Sequence, residues 1–263
     1  MIKVRWSLVR QQMAVQLLVR TLNFTSLGLL VLQPFVFSAV GMLLSHAAGN
    51  AVPDLVYSVI GGGIMGMWSG IVFISSYDIS GDRYTGMLEM VVGSPTSLAS
   101  VTAIRSVTNV LAGLFSVFLA FLSALAIFHF SLSGANLWGA AISLLLLLFS
   151  MWSISVFLAN FFVWSRISGT FVEFLEMPVA ILCGFMYPIR ILPVWMQHIA
   201  GIFPIRWALE AMNESLLGMN DLTYLSTHWA IAFLLSLIIL LITHWLQKKV
   251  HDIIRINGEL SKA

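Results

Sequence analysis

The sequence predicts an all-α membrane protein. It has six transmembrane helices, an N-terminal amphipathic interface helix and two short re-entrant helices before the last span. Three observations lead there. Only 9% of the 263 residues are charged, 59% are hydrophobic, and mean hydropathy is +0.96. Soluble domains carry roughly a quarter of their residues as Asp, Glu, Lys and Arg, so this chain could not clothe a water-facing globule and needs lipid as its solvent. Six apolar runs each approach or exceed the about 20 residues that a helix needs to cross roughly 30 Å of hydrocarbon. Finally, the basic residues fall almost entirely on one side of those runs.

Residues 1–20 come first. Lys3, Arg5, Arg10 and Arg20 alternate with Val4, Trp6, Leu8, Val9, Met13, Leu17 and Leu18. At helical spacing this makes one basic and one apolar face, the pattern of a helix lying in the membrane interface. The spans follow at about 22–44, 55–76, 102–130, 137–163, 169–187 and 225–245. None alternates as a barrel strand would, and the third and fourth exceed the bilayer thickness, which implies tilt or projection. A cleaved leader ending near Ala47 competes for the first run. That run is about 23 residues, against 7–15 for a leader's apolar core, so an uncleaved span is expected. The whole chain, 1–263, then forms one transmembrane domain.

Orientation follows from the 13 Lys and Arg residues. With the N-terminus inside, only Arg190 and Arg206 fall outside, while Lys3, Arg5, Arg10, Arg20, Arg83, Arg105, Arg166, Lys248, Lys249, Arg255 and Lys262 fall inside. This is the bias of the positive-inside rule, and it places both termini in the cytoplasm. Trp138, Trp164, Trp229 and Trp245 read as interface anchors, Trp68 and Trp152 as packing residues. The net charge of +2 gives no reason to expect nucleic acid, and Cys183 has no second cysteine to pair with.

In the second span, Ser58, Gly62, Gly66 and Gly70 recur every four residues, with Gly61 and Gly63 beside them. That spacing lets another backbone approach one helix face closely. Helix packing is the simpler reading, and a face lining a translocation path or a subunit contact is the sharper one. Residues 78–96 form the most polar internal stretch. From about Thr85 it has the pattern of a short amphipathic helix closed by Gly93, Ser94 and Pro95. Its Met87, Leu88, Met90, Val91 and Val92 are too apolar for a solvated loop, so they imply docking against a partner or the membrane surface.

Within that stretch, Asp82, Arg83, Gly86, Leu88, Glu89, Ser94 and Pro95 resemble the cytoplasmic signature of type-2 ABC transporter permeases, closest to their drug-exporter branch. Asp82 stands for a Glu of that pattern and Met87 for a Thr. The resemblance implies that the segment is the coupling helix that rests on an ATP-binding subunit. A second similarity lies at 188–220. Pro193 and Pro204 suit the starts of two short helices, and Gly201 and Gly218 suit their ends. Those helices, carrying Trp195 and introduced by Pro188, are too apolar for water and are expected to dip into the outer leaflet. They are similar to the re-entrant helices that cap these permeases.

Glu173 and Glu176 lie in the fifth span, three residues apart and so on one face. Ionisable groups inside spans default to a functional hypothesis. The expectations are pairing with Arg166 or Arg105 or reach to the interface, a place on a substrate path, or proton coupling. The six histidines have no metal-ligand spacing, and no Gly-x-x-x-x-Gly-Lys-Ser/Thr loop occurs. No cofactor is expected in this chain.

The resemblance implies a permease that pairs with a second copy or a paralogue and with two copies of an ABC ATPase, which would hold ATP and Mg. It implies export across the cell membrane, and the apolar, charge-poor spans suit a drug, antibiotic, lipid or hydrophobic peptide. A permease for a lipid-linked polysaccharide or teichoic-acid-type polymer is the alternative. From other classes, an intramembrane enzyme or an ion-coupled transporter would use Glu173 and Glu176.

Overall fold

The computed structural model describes residues 28, 32–47, 52–84, 98–128, 134–165 and 169–257. The described residues form eight α-helices and no strand. In chain order these are α1 (Gln33–Ala47), α2 (Val52–Tyr84), α3 (Leu98–Phe128), α4 (Leu137–Ser165), α5 (Gly169–Leu182), α6 (Val194–Ala200), α7 (Pro204–Leu216) and α8 (Leu222–Asn257). A 3-10 turn, Ile189–Ile191, precedes α6. The interface helix expected at 1–20 lies outside the described residues.

Four of these helices are long and apolar enough to cross a membrane, with windows at Val56–Phe73, Ser100–Leu122, Leu137–Val163 and Leu222–Lys248. They fall on the second, third, fourth and sixth expected spans. α1 is described for 15 residues and α5 for 14, roughly 21–23 Å each at 1.5 Å per residue. Six crossings therefore remain an expectation at those two helices. α5 also ends five residues earlier than the apolar run suggested. Gly184 takes φ +64°; its N–H donates to Ile181 O at 3.1 Å, and the Phe185 N–H donates to Ala180 O at 3.2 Å. This left-handed Schellman closure stops the helix although the side chains stay apolar.

The bundle is organised around α2, whose apolar window is 94% buried within this one chain. α1, α3, α4 and α5 all pack on it, and α4 in turn carries α7 and α8. Successive residues of a helix point about 100° apart, so the triplet Gly61, Gly62 and Gly63 faces three directions. Each direction admits a different neighbour. A methyl group on Gly61 would meet the Phe185 carbonyl carbon at 2.7 Å, one on Gly62 the Ser38 backbone nitrogen at 2.6 Å, and one on Gly63 the Val117 Cα at 2.7 Å. Gly66 and Gly70 are buried on the same helix.

Short polar links tie the other helices across apolar surfaces. On α4, Ser150 lies 3.1 Å from Ser236 of α8, and Ser143 accepts from the Trp229 indole of α8 at 2.8 Å. Ser143 and Ser150 are seven residues apart and so share one face. Asn109 of α3 donates to Ser75 of α2 at 3.1 Å, and Ser75 lies 3.5 Å from Ser155 of α4. Small hydroxyls let helices approach while supplying each other's hydrogen bonds.

Gly62→Ala is expected to push α1 off α2 and to cost about 1–3 kcal/mol of stability by overpacking. Gly81→Ala, where a methyl would meet nothing within 4 Å, should be neutral or stabilising by up to about 1 kcal/mol. Thermal unfolding of both variants in detergent checks this, and equal melting temperatures would contradict the close-packing account.

Candidate functional site

Two polar constellations with ionisable groups stand out among the described residues. The first sits where α1, α2 and α5 meet. Glu176 of α5 is 8% exposed. Its Oε1 accepts from Gln33 Nε2 of α1 at 2.9 Å and from the Ser69 hydroxyl of α2. Gln33 Nε2 also donates to Ser69 Oγ at 2.8 Å, and the Trp68 indole donates to the Glu176 main-chain carbonyl at 3.0 Å. Three helices thus converge on one carboxyl group. The hydrogen bonds described for it come from neutral side chains. The side chains of Glu173 and Arg166 lie outside the described residues.

Ser69 reaches Glu176 because α2 turns the next residue after Trp68 toward α5, while Trp68 packs edge-on to Phe185 at 6.4 Å. Gln33 is the first residue of α1, directly after the π-helical Leu32. Neither Gln33 nor Ser69 was singled out by sequence reasoning. The available signal was a polar amide inside an otherwise apolar run.

The second constellation is the cap made by α6 and α7. Pro204 holds the first position of α7, as expected, whereas Pro193 is the residue before α6. Gly218 closes α7 in a left-handed conformation, φ +92°, with Schellman bonds from Gly218 to Ser215 and from Met219 to Glu214. Gly201 ends α6 with ordinary helical angles instead. Pro188 introduces the 3-10 turn, and Trp195 is 63% exposed. The cap is fastened to the start of α4 by the Asn136 N–H, which donates to Ser215 O at 2.9 Å, and by Asn136 Nδ2, which donates to Met219 O at 3.2 Å.

Inside the cap, Arg206 stacks over Trp207 at 4.6 Å, donates through Nη1 to Gln197 O at 2.8 Å, and lies 3.7 Å from Glu210. His228 of α8 donates from Nδ1 to Tyr224 O at 2.9 Å, which turns Nε2 toward Glu210 at 3.8 Å. Burial pushes the Glu210 carboxyl above the usual carboxylate range, with Arg206 and His228 pulling it partly back. The i,i+4 pair Arg206–Glu210 was a legible signal that the sequence reading did not use.

Of the residues expected to contact an ATPase, Asp82 and Arg83 occupy the last turn of α2. Gly86, Leu88, Glu89, Ser94 and Pro95 lie outside the described residues. The end of α2 at Tyr84 and the cap are at opposite ends of the bundle. α4 runs parallel to α2, with Ser75 beside Ser155, and the cap is bonded to the start of α4 and lies beside Tyr57 near the start of α2.

Against known families, the description ABC-2 type transporter matches residues 5–217, from the basic N-terminal segment through the end of α7. No curated protein matches the chain.

Glu176→Ala strands the buried Ser69 and Gln33 donors and is expected to lower stability by about 1–3 kcal/mol. Glu176→Gln keeps an accepting oxygen and should lose less; equal losses, read by thermal unfolding, would rule out the anchoring role. Glu210 gives a pH test. Because its folded form holds the proton more tightly than the unfolded chain, its contribution is fully present below the unfolded value near 4.3. It is lost as pH rises through the raised folded value. Melting temperatures from pH 4 to 7 should therefore fall in the parent protein relative to Glu210→Gln, and parallel curves would contradict the assignment.

Proposed function

The chain belongs to the ABC-2 type transporter family, and on that premise we propose that it is the permease of an ATP-driven exporter for an amphipathic or hydrophobic cargo. Membership makes it a multi-pass membrane protein and the transmembrane subunit of an ABC transporter. Outward direction, cargo class and the assembly are the proposed part. Two permeases, either two copies of this chain or this chain with a paralogue, would dock two ATPase subunits that hold ATP and Mg. Both termini would be cytoplasmic in the cell membrane.

The observation that carries this reading is the difference between the two ends of the bundle. α2 continues from the expected span end near Ser76 to Tyr84, carrying Asp82 and Arg83 roughly 9–11 Å beyond it. α8 likewise runs on from the expected span end near Trp245 to Asn257. A rigid helix that projects past the lipid and leads into the segment ending at Ser94 and Pro95 suits a lever on a soluble partner. The opposite end carries the apolar cap of α6 and α7, which suits the exit side. Lys248 belongs to the projecting end and Arg105 lies near it, while Arg190 and Arg206 belong to the cap, in keeping with a cytoplasmic projection.

In this mechanism, closure of the ATPases on ATP presses on the segment around Glu89 and on the N-terminal interface helix. The force passes along α2 because α1, α3 and α5 are seated directly on its glycines and cannot slide without separating. Glu176 keeps α1 and α5 moving with α2. The path would open between the two permeases toward the outer leaflet. Charge-poor spans favour a cargo with an apolar body over a highly charged polymer, since each fixed charge would have to be matched inside lipid.

The test is reconstitution with a co-purifying ABC ATPase, followed by ATPase stimulation with a panel of drugs, lipids, hydrophobic peptides and lipid-linked polymers. Glu89→Ala and Arg83→Ala are expected to lower cargo-stimulated hydrolysis roughly tenfold, the effect of losing about 1.4 kcal/mol of coupling. Unchanged ATPase binding and transport in both variants would overturn the coupling assignment. Stimulation by the lipid-linked polymer alone would overturn the cargo class.

A further inference from the structure

Beneath the cap lies a cavity of about 10 Å³, bounded by Tyr57 of α2, Cys183 and Tyr187 at the exit of α5, and Arg206, Glu210 and Asn213 of α7. Asn213 is fully buried, and neither its Oδ1 nor its Nδ2 has a hydrogen-bond partner. Exchanging the two atoms by turning the amide over leaves the same deficit. Arg206 Nε, also buried, has no hydrogen bond either. Buried polar atoms are almost always satisfied, so a donor and an acceptor on one side chain, both orphaned at a cavity wall, point to a missing partner.

We infer that this cavity is the binding site of one ordered water molecule that joins Asn213 of α7 to Tyr57 of α2. The volume admits a single water. The ligand must both accept from Nδ2 and donate to Oδ1, and water does both. A bare cation would satisfy Oδ1 alone and would sit beside the Arg206 guanidinium. An apolar group would satisfy neither atom. After pairing with the amide, the water keeps further hydrogen-bonding capacity for the Tyr57 hydroxyl or the Glu210 carboxyl, each of which can take part. It thereby links the cap to the central helix. This inference stands on the cavity and does not depend on the transport reading.

The full-length protein in lipid nanodiscs, imaged at a resolution that shows waters, should carry density about 3 Å from the Asn213 amide. A pocket without density, or an Asn213 amide paired with protein atoms, would overturn the site. Asn213→Leu gives an independent readout with opposite signs. If the amide is truly orphaned, replacing it with an apolar side chain leaves the melting temperature unchanged or raises it. If a water bridges it, the variant strands the remaining partners and the melting temperature falls by about 2–4 °C. The fall is expected. The melting temperature of the parent protein should also be the same in sodium, potassium and rubidium chloride at equal ionic strength. A shift that Asn213→Leu abolishes would assign the site to a cation instead.

Discussion

Everything else in this bundle depends on how closely other backbones approach α2. Hydrophobic burial gives helices in lipid little reason to associate, because lipid tails are as apolar as leucine. Association must come from dispersion contacts and hydrogen bonds, both of which require short distances. Gly61, Gly62 and Gly63 supply those distances in three directions at once, to the α5 exit turn at Phe185, to α1 at Ser38 and to α3 at Val117. Three adjacent glycines weaken a helix in water by roughly 1 kcal/mol each relative to alanine. In lipid that weakness is small, because an unmade backbone hydrogen bond would cost more.

Close approach then makes the polar contacts possible. Glu176 can be buried among α1, α2 and α5 because Gln33 and Ser69 are brought within hydrogen-bond reach of its carboxyl oxygen. A residue that membrane physics marks as expensive becomes a three-helix junction. The serine pairs on α4 work on the same principle with neutral groups, Ser150 with Ser236 and Ser155 with Ser75. Together these links run from α1 to α8 through α2 and α4, so the helices packed on α2 form one mechanical unit.

The cap is built differently. Its parts are held by charges and a capping turn as well as by close glycine contacts, with Arg206, Glu210 and His228 side by side, a Schellman turn at Gly218, and Gly139 so near that a methyl on it would meet Ser215 Oγ at 2.7 Å. Ionisable groups can persist there because they have one another. Burial raises the Glu210 carboxyl, and Arg206 and His228 pull it partly back. The cap thus combines buried apolar side chains with paired ionisable groups.

Composition and period alone determined that the chain is helical and lives in lipid, because charge content and apolar run length are properties of the solvent match and need no partner. They also marked four runs that fall on long apolar helices, and they located α6 and α7 through Pro193, Pro204 and Gly218, since capping is local chemistry. The tertiary structure decided what depends on neighbours. It stopped α5 at Leu182, where hydropathy continued to Tyr187, because the φ of Gly184 and its carbonyl partners set that end. It assigned Gln33 and Ser69 to Glu176, a choice between helices far apart in sequence. It left Asn213 without a protein partner, which no pattern in one helix could reveal. The four-residue glycine period foretold one packed face; the contacts of Gly61, Gly62 and Gly63 showed three, because direction around a helix acquires meaning only when the neighbours are in place.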